Sequence, residues 1–161
     1  MKKIFACIIL LGISAGILAP ATMAQQAKDE EAIKSVILAE TDLFFARDFD
    51  GWAATFVQEP SATQVWNNAD GTYTFRHGWE TISERIAAFM KGNPEPDKTP
   101  MWRENFDIRY YGDAAFVTFD KYLGDRDAKP IRELRVVERE GDAWKIVCVA
   151  VYMDHLKETG E

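Results

Sequence analysis

Two long β-hairpins in the C-terminal part of the chain constrain its fold more than any other feature. The segment MWRENFDIRYYGDAAFVTFDKYL turns at Gly112-Asp113, and PIRELRVVEREGDAWKIVCVAVYM turns at Gly141-Asp142. With Tyr111 paired to Ala114, the first hairpin has one apolar and one largely polar face. The second hairpin, with its own turn paired in the same way, is apolar on both faces. Such a sheet needs two coverings, so we expect helices on one side and a second subunit, in a homodimer, on the other.

Three helices are predicted before these hairpins. Residues 29–47 repeat apolar side chains at helical spacing, with acidic residues in the first turn. Asp50 is the expected N-cap of a short second helix. Residues 78–91 form the third helix, which Gly92-Asn93-Pro94 ends. The predicted fold class is α+β, with N-terminal helices followed by antiparallel strands.

A shorter hairpin, QVWNNADGTYTFRH, lies between the second and third helices. Asp70-Gly71 is typical of a two-residue type I′ turn, which would pair Ala69 with Thr72. In that register one face collects rings and hydrogen-bonding groups, namely Gln64, Trp66, Asn68, Tyr73, Phe75 and His77. Such a face is typical of a small-molecule pocket, although the edge of a hydrophobic core has a similar composition.

The N-terminal residues have the pattern of a secretory signal peptide. Lys2 and Lys3 precede an uncharged apolar run that is shorter than the roughly 20 residues of a membrane-spanning helix. Small residues then lead to an expected cleavage after Ala24. We therefore predict a signal peptide at residues 1–24 and a single periplasmic or secreted domain at residues 25–161, with no membrane span after cleavage.

Composition and spacing exclude several classes of function for the mature domain. The chain has 26 acidic and 19 basic residues, and no cluster of basic side chains that would suit nucleic acid as a partner. Cys148 is the only cysteine after residue 24, so an internal disulfide is excluded. His77 and His155 lack the spacing of a metal site, and no cofactor motif is present, so neither a metal nor a cofactor is predicted.

The motifs TFRHGWETI, YGDAAFVTF and GDAWKIV, in this order of elements, resemble the SnoaL-like branch of the nuclear transport factor 2-like (NTF2-like) superfamily over about residues 29–153. The resemblance implies a cystatin-like cone, in which a curved antiparallel sheet wraps around three N-terminal helices and opens into a central cavity. It also implies frequent dimerisation through the outer face of the sheet. Members include isomerases, dehydratases, hydrolases and proteins that only bind ligands, so the fold does not select a function.

Two charged residues interrupt apolar patterns. Glu40 falls within the apolar stripe of the first helix, which makes it the best candidate for a catalytic acid or base. Alternatively, Glu40 neutralises a buried cation such as Arg132, or tilts out to solvent. Arg132 itself would either hold a ligand carboxylate or form a structural ion pair. The predicted ligand-binding residues are Glu40, Trp52, Trp66, Asn68, Tyr73, His77 and Arg132.

Two hypotheses about function follow. The first is an exported binding or accessory protein with a hydrophobic cavity for a small hydrophobic or amphipathic molecule. The second is a cofactor-independent isomerase, dehydratase or hydrolase that uses Glu40, helped by Tyr73 or His77, on a small hydrophobic substrate.

Overall fold

The computed structural model describes residues 18–68 and 70–152 and confirms the α+β class. The elements follow in the predicted order: α1 (Leu18–Ala46), α2 (Phe49–Ala53), β1 (Thr63–Asn67), β2 (Tyr73–His77), α3 (Trp79–Gly92), β3 (Met101–Tyr111), β4 (Ala114–Leu123), β5 (Ile131–Glu140) and β6 (Ala143–Tyr152). Residues 1–17 of the predicted signal peptide lie outside the described residues. Residues 18–24 of that peptide belong to α1. None of the helices in the described ranges is long and apolar enough to cross a membrane.

The ends of the helices are set by local hydrogen bonds. The N-cap of α2 is Asp48 and not the expected Asp50: Asp48 has extended backbone angles, and its carboxylate accepts the N–H of Gly51 at 2.9 Å. Asp50 lies inside the first turn of α2, where its charge complements the helix dipole. The third helix runs as predicted and buries Ile82, Ile86 and Met90.

The six strands form one sheet in the order β2-β1-β6-β5-β4-β3. All neighbouring pairs are antiparallel except β1 and β6, which run parallel with Thr63 opposite Cys148. The inner face packs on the helices around a core that includes Ile33 and Ile37 of α1 and Phe119 of β4. The sheet is therefore mostly antiparallel, and its parallel pair joins the short hairpin to the long ones.

The register predicted for the short hairpin is wrong by one residue. The N–H of Asn68 donates to the carbonyl of Thr72 at 2.8 Å, and Asn67 lies opposite Tyr73. Gly71 adopts a left-handed φ of 83° next to this turn, as in hairpins with a three-residue loop. The extra loop residue moves Tyr73, Phe75 and His77 to the face opposite Trp66.

Two β-bulges shift the long hairpins. In β3 the pairing changes between Glu104 and Asp107, where Asn105 has a φ of 55°. In the last hairpin the pairing changes after Val137, so that Val136 lies opposite Cys148. The registers at the two turns are as predicted. Beyond each bulge, the side chains of the bulged strand, β3 or β6, lie on the opposite face from the one predicted.

Candidate functional site

A cavity of about 300 Å³ lies between the C-terminal half of α1 and the inner face of the sheet. Most of its wall is apolar or aromatic, and a smaller part is formed by buried polar groups. The lining residues are Glu40, Thr41, Phe44, Phe45, Trp52, Gln64, Trp66, Ile86, Lys121, Leu123, Ile131, Glu133, Arg135, Val149 and Val151. This combination of an apolar wall with a few buried polar groups is that of small-molecule sites, at the lower end of their size range.

The polar part of the wall is a chain of alternating charges centred on Arg135. The Arg135 side chain is 2% exposed, and its Nη2 donates to Glu133 Oε2 at 2.7 Å and to Glu40 Oε2 at 3.1 Å. Lys121 forms an ion pair with the other oxygen of Glu133. Two cations and two carboxylates thus neutralise each other within the cavity wall, as buried charges require.

The electrostatic balance keeps Glu133 and Arg135, at the centre of this chain of charges, ionised. Burial opposes ionisation of the Glu133 carboxyl, but the positive charges of Arg135 and Lys121 outweigh it and hold the pKa below its ordinary value. Burial likewise opposes the charged form of Arg135, but Glu40 and Glu133 outweigh it and raise the pKa of the guanidinium. Glu133 and Arg135 are therefore both charged at neutral pH.

Glu40 and Gln64 complete the polar wall. Glu40 Oε2 also accepts the hydroxyl of Thr41 at 3.0 Å, whereas Oε1 has a longer contact, 3.4 Å, with the indole N–H of Trp52. Gln64 is 4% exposed, and its Oε1 has no hydrogen-bond partner among the residues that the structure describes. The Nε of Arg135 is also without a partner within those residues. Buried groups of this kind are normally paired, so the wall retains unused hydrogen-bonding capacity.

The structure brings three of the seven predicted site residues to this cavity. Glu40, Trp52 and Trp66 line it. Glu40 pairs with a buried arginine, as the alternative interpretation expected, but its partner is Arg135 and not Arg132. Asn68 does not line the cavity and bonds across the hairpin to the hydroxyls of Thr72 and Thr74.

The other three predicted residues lie away from the cavity. Tyr73 and His77 are exposed on β2 because of the shifted hairpin register, and Tyr73 is 74% exposed. Arg132 lies on the outer face of the sheet, where it bonds Asp120 at 2.7 Å and the Thr118 hydroxyl at 2.8 Å. Arg132 is thus in a structural ion pair, outside the cavity wall.

Sequence reasoning missed Glu133 and Arg135 as site residues. Arg135 lies two positions and Glu133 four positions before Val137, which the turn register correctly placed on the same face as Ile146. Because alternate residues of a strand share a face, this periodicity already puts both charges on the inner face. Two charged side chains on an otherwise apolar inner face are the signal that could have identified the site.

The described residues contain no group of three or more His, Cys, Asp or Glu side chains arranged to hold a metal ion. The two acidic side chains of the cavity wall are already in ion pairs: Glu40 with Arg135, and Glu133 with Arg135 and Lys121.

Comparison with known proteins identifies the fold. No family model and no curated protein matches the sequence. Among solved structures, an NTF2-like-family protein from Streptomyces avermitilis is 15% identical, with a TM-score of 0.62 over 79% of this chain and 96% of that one. A cystatin-like-fold protein from Nostoc punctiforme is 15% identical, with a TM-score of 0.60 over 80% and 92%. An NTF2-like protein of unknown function from Shewanella oneidensis is 18% identical, with a TM-score of 0.57 over 78% and 99%. The chain therefore has the NTF2-like, or cystatin-like, fold.

Proposed function

We propose that this is an exported protein that binds a small hydrophobic or amphipathic molecule in the cavity between α1 and the sheet. The observation that carries the proposal is the unpaired, buried amide oxygen of Gln64 in a cavity whose remaining wall is mainly apolar. A buried acceptor without a partner costs stability, and a bound molecule that donates to it would recover that cost.

Binding is favoured over catalysis because every charged group of the cavity wall already has a partner of opposite charge. Lys121 pairs with Glu133, and Arg135 pairs with Glu133 and Glu40. A general base must lie within hydrogen-bond reach of the proton that it takes from the substrate. Both oxygens of Glu133 and Oε2 of Glu40 are already in ion pairs, which leaves Oε1 of Glu40, with its long contact to Trp52, as the one carboxylate oxygen of the described cavity wall that is open to a ligand.

The test is native mass spectrometry of protein purified without denaturant. We expect a bound small molecule in the wild-type protein and its loss in Val151→Trp, which places a large ring in the cavity wall. Tyr111→Trp, at the exposed β3–β4 turn, is the matched control and should keep the molecule. A wild-type protein with no bound molecule, and none acquired from extracts of the producing cell, would overturn the proposal.

A second candidate function, acid–base catalysis on a small hydrophobic substrate, rests on a different observation. The carboxylates of Glu40 and Glu133 converge on one nitrogen of Arg135 at the cavity wall. If the protein is an enzyme, it converts the molecule that it binds, and Glu40→Gln abolishes conversion while binding persists. If the molecule is recovered unchanged after long incubation, the binding function stands.

We further propose that the protein is a homodimer joined through the outer face of the sheet. The middle of this face carries aligned apolar neighbours. Phe116, Val136 and Cys148 form one row, which Arg109 and Thr63 continue; Leu134, Ala150, Val65 and Phe75 form the next row, which Thr118 continues. Phe75 is 58% exposed, so a second copy would cover an apolar surface that is otherwise in water. Sedimentation should give a dimer for the wild type and a monomer for Val136→Glu, with Ala88→Glu, at an exposed position of α3, as control. A wild-type monomer at tens of micromolar would refute this arrangement.

A further inference from the structure

The unused hydrogen-bonding groups of the cavity wall include both acceptors and a donor. The acceptors are Oε1 of Gln64, which has no partner in the described part of the chain, and Oε1 of Glu40, whose contact with Trp52 is long at 3.4 Å. The donor is Nε of Arg135. A hydroxyl group donates one hydrogen bond and accepts two, so it is the smallest group that suits a wall of this mixed character.

The charge of the wall selects against ionised ligands. The negative charges of Glu40 and Glu133 balance the positive charges of Arg135 and Lys121. A ligand anion would repel the two carboxylates, and a ligand cation would repel the guanidinium and the ammonium. Either would also lose its own hydration on entering a largely apolar cavity without gaining a free counter-ion. The wall therefore favours a neutral molecule.

The apolar part of the wall suits a ring. Four aromatic side chains line the cavity: Phe44, Phe45, Trp52 and Trp66. The guanidinium of Arg76 lies 4.7 Å from the centre of the Trp66 ring and helps to hold its orientation. A volume of about 300 Å³ is at the lower limit for ligand pockets, which favours a single ring with short substituents.

We infer that the cavity binds a neutral, single-ring molecule that carries a hydroxyl group, with the hydroxyl donating its one proton to Oε1 of Gln64 and the ring held among the aromatic side chains. This inference rests on the proposed binding function and adds the chemical class of the ligand. It also assigns to Gln64 the role of the residue that distinguishes hydroxylated molecules from others of the same shape. A site built to bond a hydroxyl rejects an analogue that lacks it, because the buried acceptor then stays unpaired.

The experiment compares four probes of nearly the same shape by calorimetric titration: p-cresol, 4-methylanisole, 4-methylbenzoate and 4-methylbenzylamine. They present a neutral hydroxyl, a neutral ether, an anion and a cation on the same ring. We expect p-cresol to bind the wild-type protein at least tenfold more tightly than each of the other three.

Two variants locate the effect. Gln64→Leu replaces the amide by a slightly shorter, apolar side chain, so p-cresol should bind at least tenfold more weakly and 4-methylanisole equally well or better. Gln58→Leu removes an amide whose Nε2 donates to the carbonyl of Ala53 outside the cavity, and the preference should be unchanged. The order of the four probes on the wild type tests the inference even if Gln64→Leu does not fold.

The outcomes separate this inference from the function on which it rests. Equal binding of p-cresol and 4-methylanisole, or tightest binding of the anion or the cation, overturns the inference and leaves a binding protein. A co-purified molecule without a hydroxyl group does the same. If no probe binds and native mass spectrometry finds no bound molecule, the inference and the proposed function both fall.

Discussion

Replacing Glu40 by Gln removes one charge from a buried network while preserving the shape of the side chain. In the native protein Arg135 bonds Glu40 and Glu133 through one nitrogen, and Lys121 also pairs with Glu133. The substitution leaves two cations to share one carboxylate in a site that is almost closed to water. We therefore expect Glu40→Gln to destabilise the fold, even though Glu40 also lines the cavity.

The size of the effect follows from the contact distance. Two unit charges 3.1 Å apart attract each other by about 5 kcal/mol at an effective dielectric constant of about 20. Removing the charge of Glu40 also removes the cost of burying it, and Arg135 keeps its contact with Glu133, so the net loss is smaller. A hydrogen bond to a charged group contributes about 1.5–3 kcal/mol, and breaking a buried ion pair costs about 3–5 kcal/mol. We expect a loss of about 2–3 kcal/mol, or about 4–12 °C in Tm for a domain of this size.

The assay is unfolding by urea and by heat in the absence of ligand. Tryptophan fluorescence and circular dichroism monitor both transitions. Glu30→Gln is the matched control, because Glu30 makes an exposed ion pair with Lys34 on the same helix and should cost about 0.5 kcal/mol or less. Arg135→Met should be more destabilising than Glu40→Gln, because it leaves two carboxylates with one cation. If Glu40→Gln is as stable as the wild type or more so, the charge on Glu40 does not support the fold, and the reasoning is refuted.

Three further predictions concern pH, export and the single thiol. The pKa of Glu133 is lowered in the folded state. The contribution of its charge to stability is therefore complete above the ordinary pKa of about 4.3 and is lost as the pH falls below that value. As the pH is lowered from 7 to 3, the midpoint of urea unfolding should fall more steeply for the wild type than for Glu133→Gln. Expression of the whole chain in a bacterium should yield an exported protein that begins at Gln25, and a cytoplasmic protein retaining Met1 by mass spectrometry would exclude the signal peptide. Burial raises the pKa of the half-buried Cys148 thiol; Cys148→Ser should cost about 1–3 kcal/mol at most and leave ligand binding intact, and weaker binding at unchanged stability would show a functional thiol.

The sequence was sufficient for the element order and the α+β class because these depend on patterns that repeat. The period of α3 and the turns at Gly112-Asp113 and Gly141-Asp142 are each supported by several residues. Glu40 was also identified correctly as a charge in a buried stripe, since a helical period of 3.6 residues fixes which side chains share a face.

The site residues were predicted less well than the fold, because a single inserted residue in a loop or a bulge determines which side chains face the cavity. One extra loop residue near Gly71 moves Tyr73 and His77 from the expected pocket face to the exposed face. The bulge near Val147 exchanges the faces of β6, so Val149 and not Cys148 points toward the cavity. Bulges relieve strain in a curved sheet and depend on contacts distant in sequence, so a local pattern does not reveal them.

The parallel pairing of β1 with β6 has a consequence for the order of folding. Strands β3 to β6 are each adjacent in the sheet to their neighbours in the sequence, whereas β1 must wait for the last strand of the chain. A two-stranded hairpin is marginally stable alone, so β1 and β2 gain a lasting position only when β6 is in place. Contacts between distant segments form slowly, and β1 and β6 supply Gln64, Trp66, Val149 and Val151 to the cavity. We therefore expect the cavity to close in the last step of folding, so that a ligand slows the unfolding of the finished protein without speeding its early assembly.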